Sequence, residues 1–109
     1  MDSCIFCAII EDKIPSYSIY EDATTLAFLD VNPLSPGHTI VVPKYHSPIL
    51  NDLPSEIFIS LMGTIRDLIE PIERSVGASA TTIAFNNGEA AGQEVPHVHC
   101  HIIPRFKGD

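Results

Sequence analysis

The stretch His97-Val98-His99-Cys100-His101-Ile102-Ile103 alternates imidazoles with apolar side chains, and it narrows the fold more than any other part of the chain. Successive side chains on a β-strand point to opposite faces. His97, His99 and His101 are therefore expected on one face, with Val98, Cys100 and Ile102 turned the other way into a core. Three of the five histidines lie here. As ordinary buried imidazoles each would need its own polar partner, so a strand that gives one whole face to histidine reads as part of a site.

The chain has 109 residues, which suits one domain with one core, and residues 1–109 are expected to form it. Apolar residues make up 45% and charged residues 18%, the balance of a soluble globular protein. No apolar run approaches the roughly 20 residues of a membrane helix, and the N-terminus lacks the charged-then-apolar order of a signal segment. The net charge of -8 argues against a nucleic-acid partner, whose phosphates call for a basic face. A small anion held by local donors is compatible with it. Cys4 and Cys7 form a CxxC and Cys100 stands alone, which is no disulfide framework. A cytoplasmic, reducing location fits.

Local signals give an α+β order. Ser3 can cap a short helix from Cys4 to Ile10. Tyr17 to Glu21 and Thr25 to Asp30 read as a hairpin turning at Asp22, and His38 to Pro43 as a third strand after a Pro- and Gly-broken loop. Pro54 suits the first turn of a long helix. Ile57, Leu61, Ile65, Leu68, Ile72 and Val76 recur along it at helical spacing, Pro71 should kink or split it, and Gly77 should end it. Thr81 to Phe85 is a fourth strand, Asn86 to Gln93 a loop, and Val95 to Ile103 the fifth strand. The expected architecture is a five-stranded antiparallel sheet crossed by one long helix, with a short N-terminal helix.

Same-face histidines have chemical uses beyond packing. His-x-His on a strand can supply two zinc ligands. Alternatively, one neutral imidazole can attack phosphorus, since its unperturbed pKa lies near 6.5, and pass the group on to water. The preceding loop, Asn86 to Gln93, carries Gly88, Gly92 and small residues that let backbone N–H groups approach an anion. A phosphate held against a nucleophile joins the two observations. The CxxC is open to a redox role, to plain burial or to metal binding, though it lacks the βαβ setting of a thioredoxin-like motif.

The histidine stretch resembles the histidine triad (HIT) motif. Gly92-Gln93-Glu94-Val95-Pro96 matches the same family, as do Cys4-Ile5-Phe6-Cys7, Ile14-Pro15, Leu26-Ala27-Phe28-Leu29-Asp30 and His38-Thr39-Ile40-Val41-Val42-Pro43-Lys44-Tyr45-His46, in the family's order. The nearest branch is the histidine triad nucleotide-binding proteins. The resemblance implies hydrolysis of purine nucleoside phosphoramidates and a homodimer whose two sheets join into one of ten strands. It implies His99 as a nucleophile that becomes nucleotidylated, with His101 against the phosphate. Gln93, Gly92 and nearby N–H groups would hold phosphate oxygens, and Asn86 would orient them. Asp30 would accept both ribose hydroxyls, and Ile5, Phe6, Ile9, Phe28 and Val31 would clamp the base. His38 is expected to support the triad from behind. In microbial members of similar pattern, zinc is bound by a Cys₂His₂ set, here Cys4, Cys7, His46 and His97.

The chain departs from the best-known members at Glu94, where they carry a hydroxyl residue that helps the leaving group. A carboxylic acid can do this only when protonated, and an ionised one repels phosphate. Two other functions remain compatible with the sequence: a dinucleoside polyphosphate hydrolase with the same nucleophile, and a non-catalytic nucleotide sensor or adaptor.

Overall fold

The computed structural model describes residues 4–109. Its elements run α1 (Ile5–Ile10), β1 (Ser18–Glu21), β2 (Thr25–Leu29), β3 (Thr39–Pro43), α2 (Ser55–Val76), β4 (Ala80–Ala84) and β5 (Cys100–Arg105), with 3₁₀ turns at Leu50–Asp52 and Glu89–Ala91. The strands form one sheet in the order β1-β2-β3-β5-β4, and every pairing is antiparallel. This is the α+β architecture expected from the sequence. Among the described residues no helix is long and apolar enough to cross a membrane.

Each face of the sheet carries a helix, and the two-residue period of the strands sorts side chains between them. Ala27, Val41, Val98, Cys100 and Ile102 pack with Leu61, Ile65 and Ile72 of α2. Leu26, Phe28, Ile40 and Val42 point the other way, onto Cys4, Phe6 and Ile9. Truncating a fully buried side chain such as Leu61 to Ala would cost about 2–5 kcal/mol.

The helix ends obey local chemistry, with small shifts from expectation. Ser3 lies outside the described residues. Cys4 is the N-cap of α1, its sulfur accepting the Cys7 N–H at 3.3 Å. Pro54 is the N-cap of α2 rather than a first-turn residue, and its carbonyl accepts the Phe58 N–H at 3.0 Å. Gly77 ends the helix at φ 71, a left-handed conformation that glycine adopts without penalty. Pro71 does not split α2, which is helical from Ser55 to Val76. A proline withdraws one donor from the carbonyl four residues earlier. Here that residue is Asp67, and both positions face solvent, where water can replace the bond.

The largest difference lies before β5. The strand begins at Cys100, not at Val95, because its ladder with β3 ends at the Val41–Cys100 pair. Pro96 has no N–H to give a ladder. The His97 N–H turns back to the Val95 carbonyl at 2.8 Å, and the Val98 N–H bonds Ser47 at 2.8 Å. His97 and His99 thus sit on a bent lead-in segment. The alternation nevertheless survives it, since Val98, Cys100 and Ile102 all enter the α2 core.

Candidate active site and metal centre

The histidine face of the lead-in and β5 looks toward α1. There a cavity of about 280 Å³ opens beside His99 and His101. Ile5, Phe6, Ile9, Phe28 and Val31 all line it, although Val31 is 77% exposed. Asp30, Asn86, Gly92 and Glu94 also line it. The Phe6 ring meets His99 edge-on with centroids 4.9 Å apart, so it forms one wall of that imidazole's surroundings. Ile14, Pro15 and Val95 border the cavity too, without having been assigned a role from sequence. The Ile-Pro pair in a loop was the available signal for two of them.

His99 is 8% exposed. Its Nδ1 lies 2.8 Å from the His97 carbonyl, which can only accept, so Nδ1 carries the proton. Nε2 is then left with its lone pair. Burial lowers the His99 pKa. The bond to His97 works against that shift, His101 adds to it, and the Asp30 and Glu94 carboxylates oppose it. The result favours the neutral ring that a nucleophile needs.

A second proton assignment follows from Leu34. Its backbone N–H donates to His38 Nδ1 at 3.1 Å, so the His38 proton sits on Nε2. That proton points to His101 Nδ1 at 2.9 Å, with Asp30 Oδ2 at 3.5 Å. His101 therefore accepts at Nδ1 and carries its own N–H on Nε2. Burial lowers the pKa of both rings; His38 lowers His101 further, while Asp30 opposes the shift in each. Asp30 Oδ1 accepts the Asn32 N–H at 2.8 Å, which fixes the carboxylate while leaving it lone pairs.

Gln93 stands elsewhere. Its Oε1 accepts the Gly88 N–H at 2.7 Å, and its Nε2 donates to Pro48 at 2.6 Å and to Val95 at 2.9 Å. The side chain staples the loop instead of facing the cavity. The N–H groups of Ala91, Gly92 and Gln93 are also spent inside the loop, on Gly88 and Glu89 carbonyls. Gly88 and Gly92 hold φ of 97 and 91 to make that turn, so the glycines serve loop closure.

At the other end of the lead-in, Cys4, Cys7, His46 and His97 bring one ligand atom each within 4.8 Å of one another. Sulfur-to-nitrogen distances are 3.4 Å (Cys4–His97), 3.3 Å (Cys7–His46) and 3.7 Å (Cys7–His97), and the two Nδ1 atoms are 3.1 Å apart. A tetrahedral zinc site with ordinary bond lengths has edges of roughly 3.6 Å between sulfur and nitrogen and about 3.3 Å between nitrogens. The donor set fits that ion. His97 Nε2 donates to the Pro43 carbonyl at 2.8 Å, so Nδ1 presents a lone pair to the cluster. Burial, and then Cys4, push the Cys7 thiol up to about 11, a cost that a cation between the ligands would offset. Cys100 is buried in the α2 core and its thiol is pushed up to about 12, which suits packing and not chemistry.

The chain matches the HIT domain over residues 11–108. It is 45% identical over 106 residues to a HIT-like protein of Methanocaldococcus jannaschii, covering 97% of this chain and 81% of that one. It is 39% identical over 103 residues to the adenosine 5'-monophosphoramidase of Schizosaccharomyces pombe, covering 94% and 74%. A crystal structure of a zinc-bound histidine triad family protein from Mycobacterium smegmatis superimposes with a TM-score of 0.89 at 41% identity, covering 99% and 78%.

Proposed function

The chain belongs to the HIT domain family, and from that membership we propose that it is a hydrolase releasing nucleoside monophosphates from purine nucleoside phosphoramidates through His99. The observation that carries this reading is the His99 tautomer: Nδ1–H is held by the His97 carbonyl, and Nε2 is free at a cavity with an apolar end. The phosphoramidase relative supports the same class of activity.

In this reading the base lies between Ile5, Phe6, Ile9, Phe28 and Val31, and the ribose hydroxyls donate to Asp30. The His99 Nε2 lone pair forms a bond to the α-phosphorus. The phosphorus–nitrogen bond breaks, and its electron pair leaves with the amine, which takes a proton from solvent. Water then attacks phosphorus, its proton returns to solvent, and Nε2 recovers its lone pair. His101 Nε2–H and Asn86 would donate to phosphate oxygens as charge builds. Gln93 acts at one remove, by holding the loop that presents Asn86, Gly92 and Glu94.

Zinc is the cofactor that Cys4, Cys7, His46 and His97 would hold, as a closed structural site with no place for substrate. The protein would act in the cytoplasm as a single-domain chain paired into a homodimer, β4 being one of the two sheet edges free to pair.

The test is AMP release from adenosine 5'-phosphoramidate by the unaltered protein and by His99→Ala. The expected loss is at least about a thousandfold. Equal rates would remove His99 as nucleophile. AMP binding without any turnover by the unaltered protein would instead favour the sensor.

A further inference from the structure

Two cavities meet at His101. The second, of about 410 Å³, shares Asp30, Asn86, Glu94 and His101 with the first and continues past His38 to Ile103, without reaching His99. An in-line displacement at phosphorus sends the leaving group away from its attacker. The second cavity adjoins the first without being lined by His99, and offers room for that group once the nucleoside fills the first. Among the described residues neither cavity is lined by a lysine or arginine, and the two carboxylates at their junction are Asp30 and Glu94. Asp30 is engaged by Asn32 and His38. Glu94 is exposed, and among the described residues its carboxylate makes no hydrogen bond or ion pair. A phosphate bound here gains no fixed cation from the walls, while any leaving group must pass an uncompensated negative charge.

We propose that Glu94 sets leaving-group specificity, selecting nucleoside phosphoramidates whose departing amine carries a second, positively charged nitrogen, such as an aminoalkyl ammonium, over neutral and anionic ones. The inference rests on the hydrolase reading above. The bond broken is the same phosphorus–nitrogen bond, and the ammonium remains a spectator charge. Coulomb attraction to Glu94 draws that charge into the second cavity, and repulsion from the same carboxylate disfavours a sulfate, phosphate or carboxylate tail. Glu94 acts as a selector of charge and needs no proton to do so.

The experiment uses three adenosine 5'-phosphoramidates of matched length whose tails end in an ammonium, a hydroxyl or a carboxylate. For the unaltered protein kcat/KM should fall in that order, by tenfold or more from first to last, and the spread should narrow as salt rises. Glu94→Gln should compress the spread to within about threefold, and Glu94→Lys should invert the order. An unchanged spread in Glu94→Gln overturns the proposal. Non-hydrolysable analogues with the same tails, competed against bound AMP, keep the two readings separate. If no substrate turns over, the hydrolase reading fails, yet the ammonium analogue must still compete best. Equal competition by all three overturns the role of Glu94 whatever the activity.

Discussion

His97 and His99 stand two residues apart on the same lead-in, both buried and both bonded to a backbone carbonyl, yet their lone pairs face different surroundings. In His97 the Pro43 carbonyl takes Nε2–H, so Nδ1 faces two sulfurs and a second imidazole. In His99 the His97 carbonyl takes Nδ1–H, so Nε2 faces the cavity. Which nitrogen the backbone claims decides where the ring presents its lone pair, to the sulfur cluster or to the cavity. The surroundings complete the difference. His97 closes a ring of four nitrogen and sulfur donors, whereas His99 opens onto apolar walls and Asp30.

Exchanging the two histidines for alanine, one at a time, should separate these roles by the largest margin. His99→Ala should lower AMP release by at least about a thousandfold while zinc content and Tm stay near those of the unaltered protein. His97→Ala should abolish stoichiometric zinc and lower Tm by about 10 °C or more, since it removes a ligand and leaves a buried gap. Zinc content by elemental analysis, Tm and turnover on both variants check the pair. A His97→Ala protein that retains zinc would end the assignment of that site.

The ends are also joined, because residue 97 gives its side chain to one and its carbonyl to the other. Removing zinc from the folded protein should loosen the carbonyl that fixes the His99 tautomer. We expect turnover to fall roughly tenfold at a temperature where the apo protein is still folded by circular dichroism. Unchanged kcat in folded apo protein would show the two ends to be independent.

His38 sharpens the comparison from the reactive side. His38→Gln keeps an N–H able to reach His101 Nδ1, and His38→Phe removes it. Turnover should drop roughly tenfold or more in the Phe variant and only a few-fold in the Gln variant. Similar losses in both would mean that His38 acts by filling space.

Much of this was legible in residue types. The alternation from His97 to Ile102 gave the correct sides, and the apolar stripe of α2 gave the helix that covers them. Boundaries set by tertiary pairing were less visible. Pro96 argues against a ladder at that point, but how far past it the break extends is set by the β3 pairing, which ends at Cys100. Pro71 looks disruptive in isolation, but its effect depends on whether the stranded carbonyl can reach water. Gln93 has the chemistry of a phosphate ligand, and only the approach of Pro48, 45 residues away in sequence, shows its amide to be occupied. The His38 relay depends on Leu34, whose contribution is a backbone N–H that no side-chain motif encodes.

The smallest expected effect is the acid sensitivity of the reactive end. Burial lowers the pKa of His38 and His101, and mutual repulsion lowers His101 further, with Asp30 facing both and Glu94 facing His101. In the unfolded chain both return to about 6.5. Below that value the unfolded chain binds more protons than the folded one, so stability declines as pH falls. Their contribution is fully present above about pH 6.5 and is lost on the way down to the lowered folded values. The structural cause is plain in His38: Nδ1 already accepts from Leu34 and Nε2 already donates to His101, so a second ring proton breaks the Leu34 bond. Tm measured at pH 7.5 and 5.5 should therefore drop less in His38→Gln than in the unaltered protein, a difference that leaves acid loss of zinc common to both. An equal drop would remove His38 as a source of the acid sensitivity.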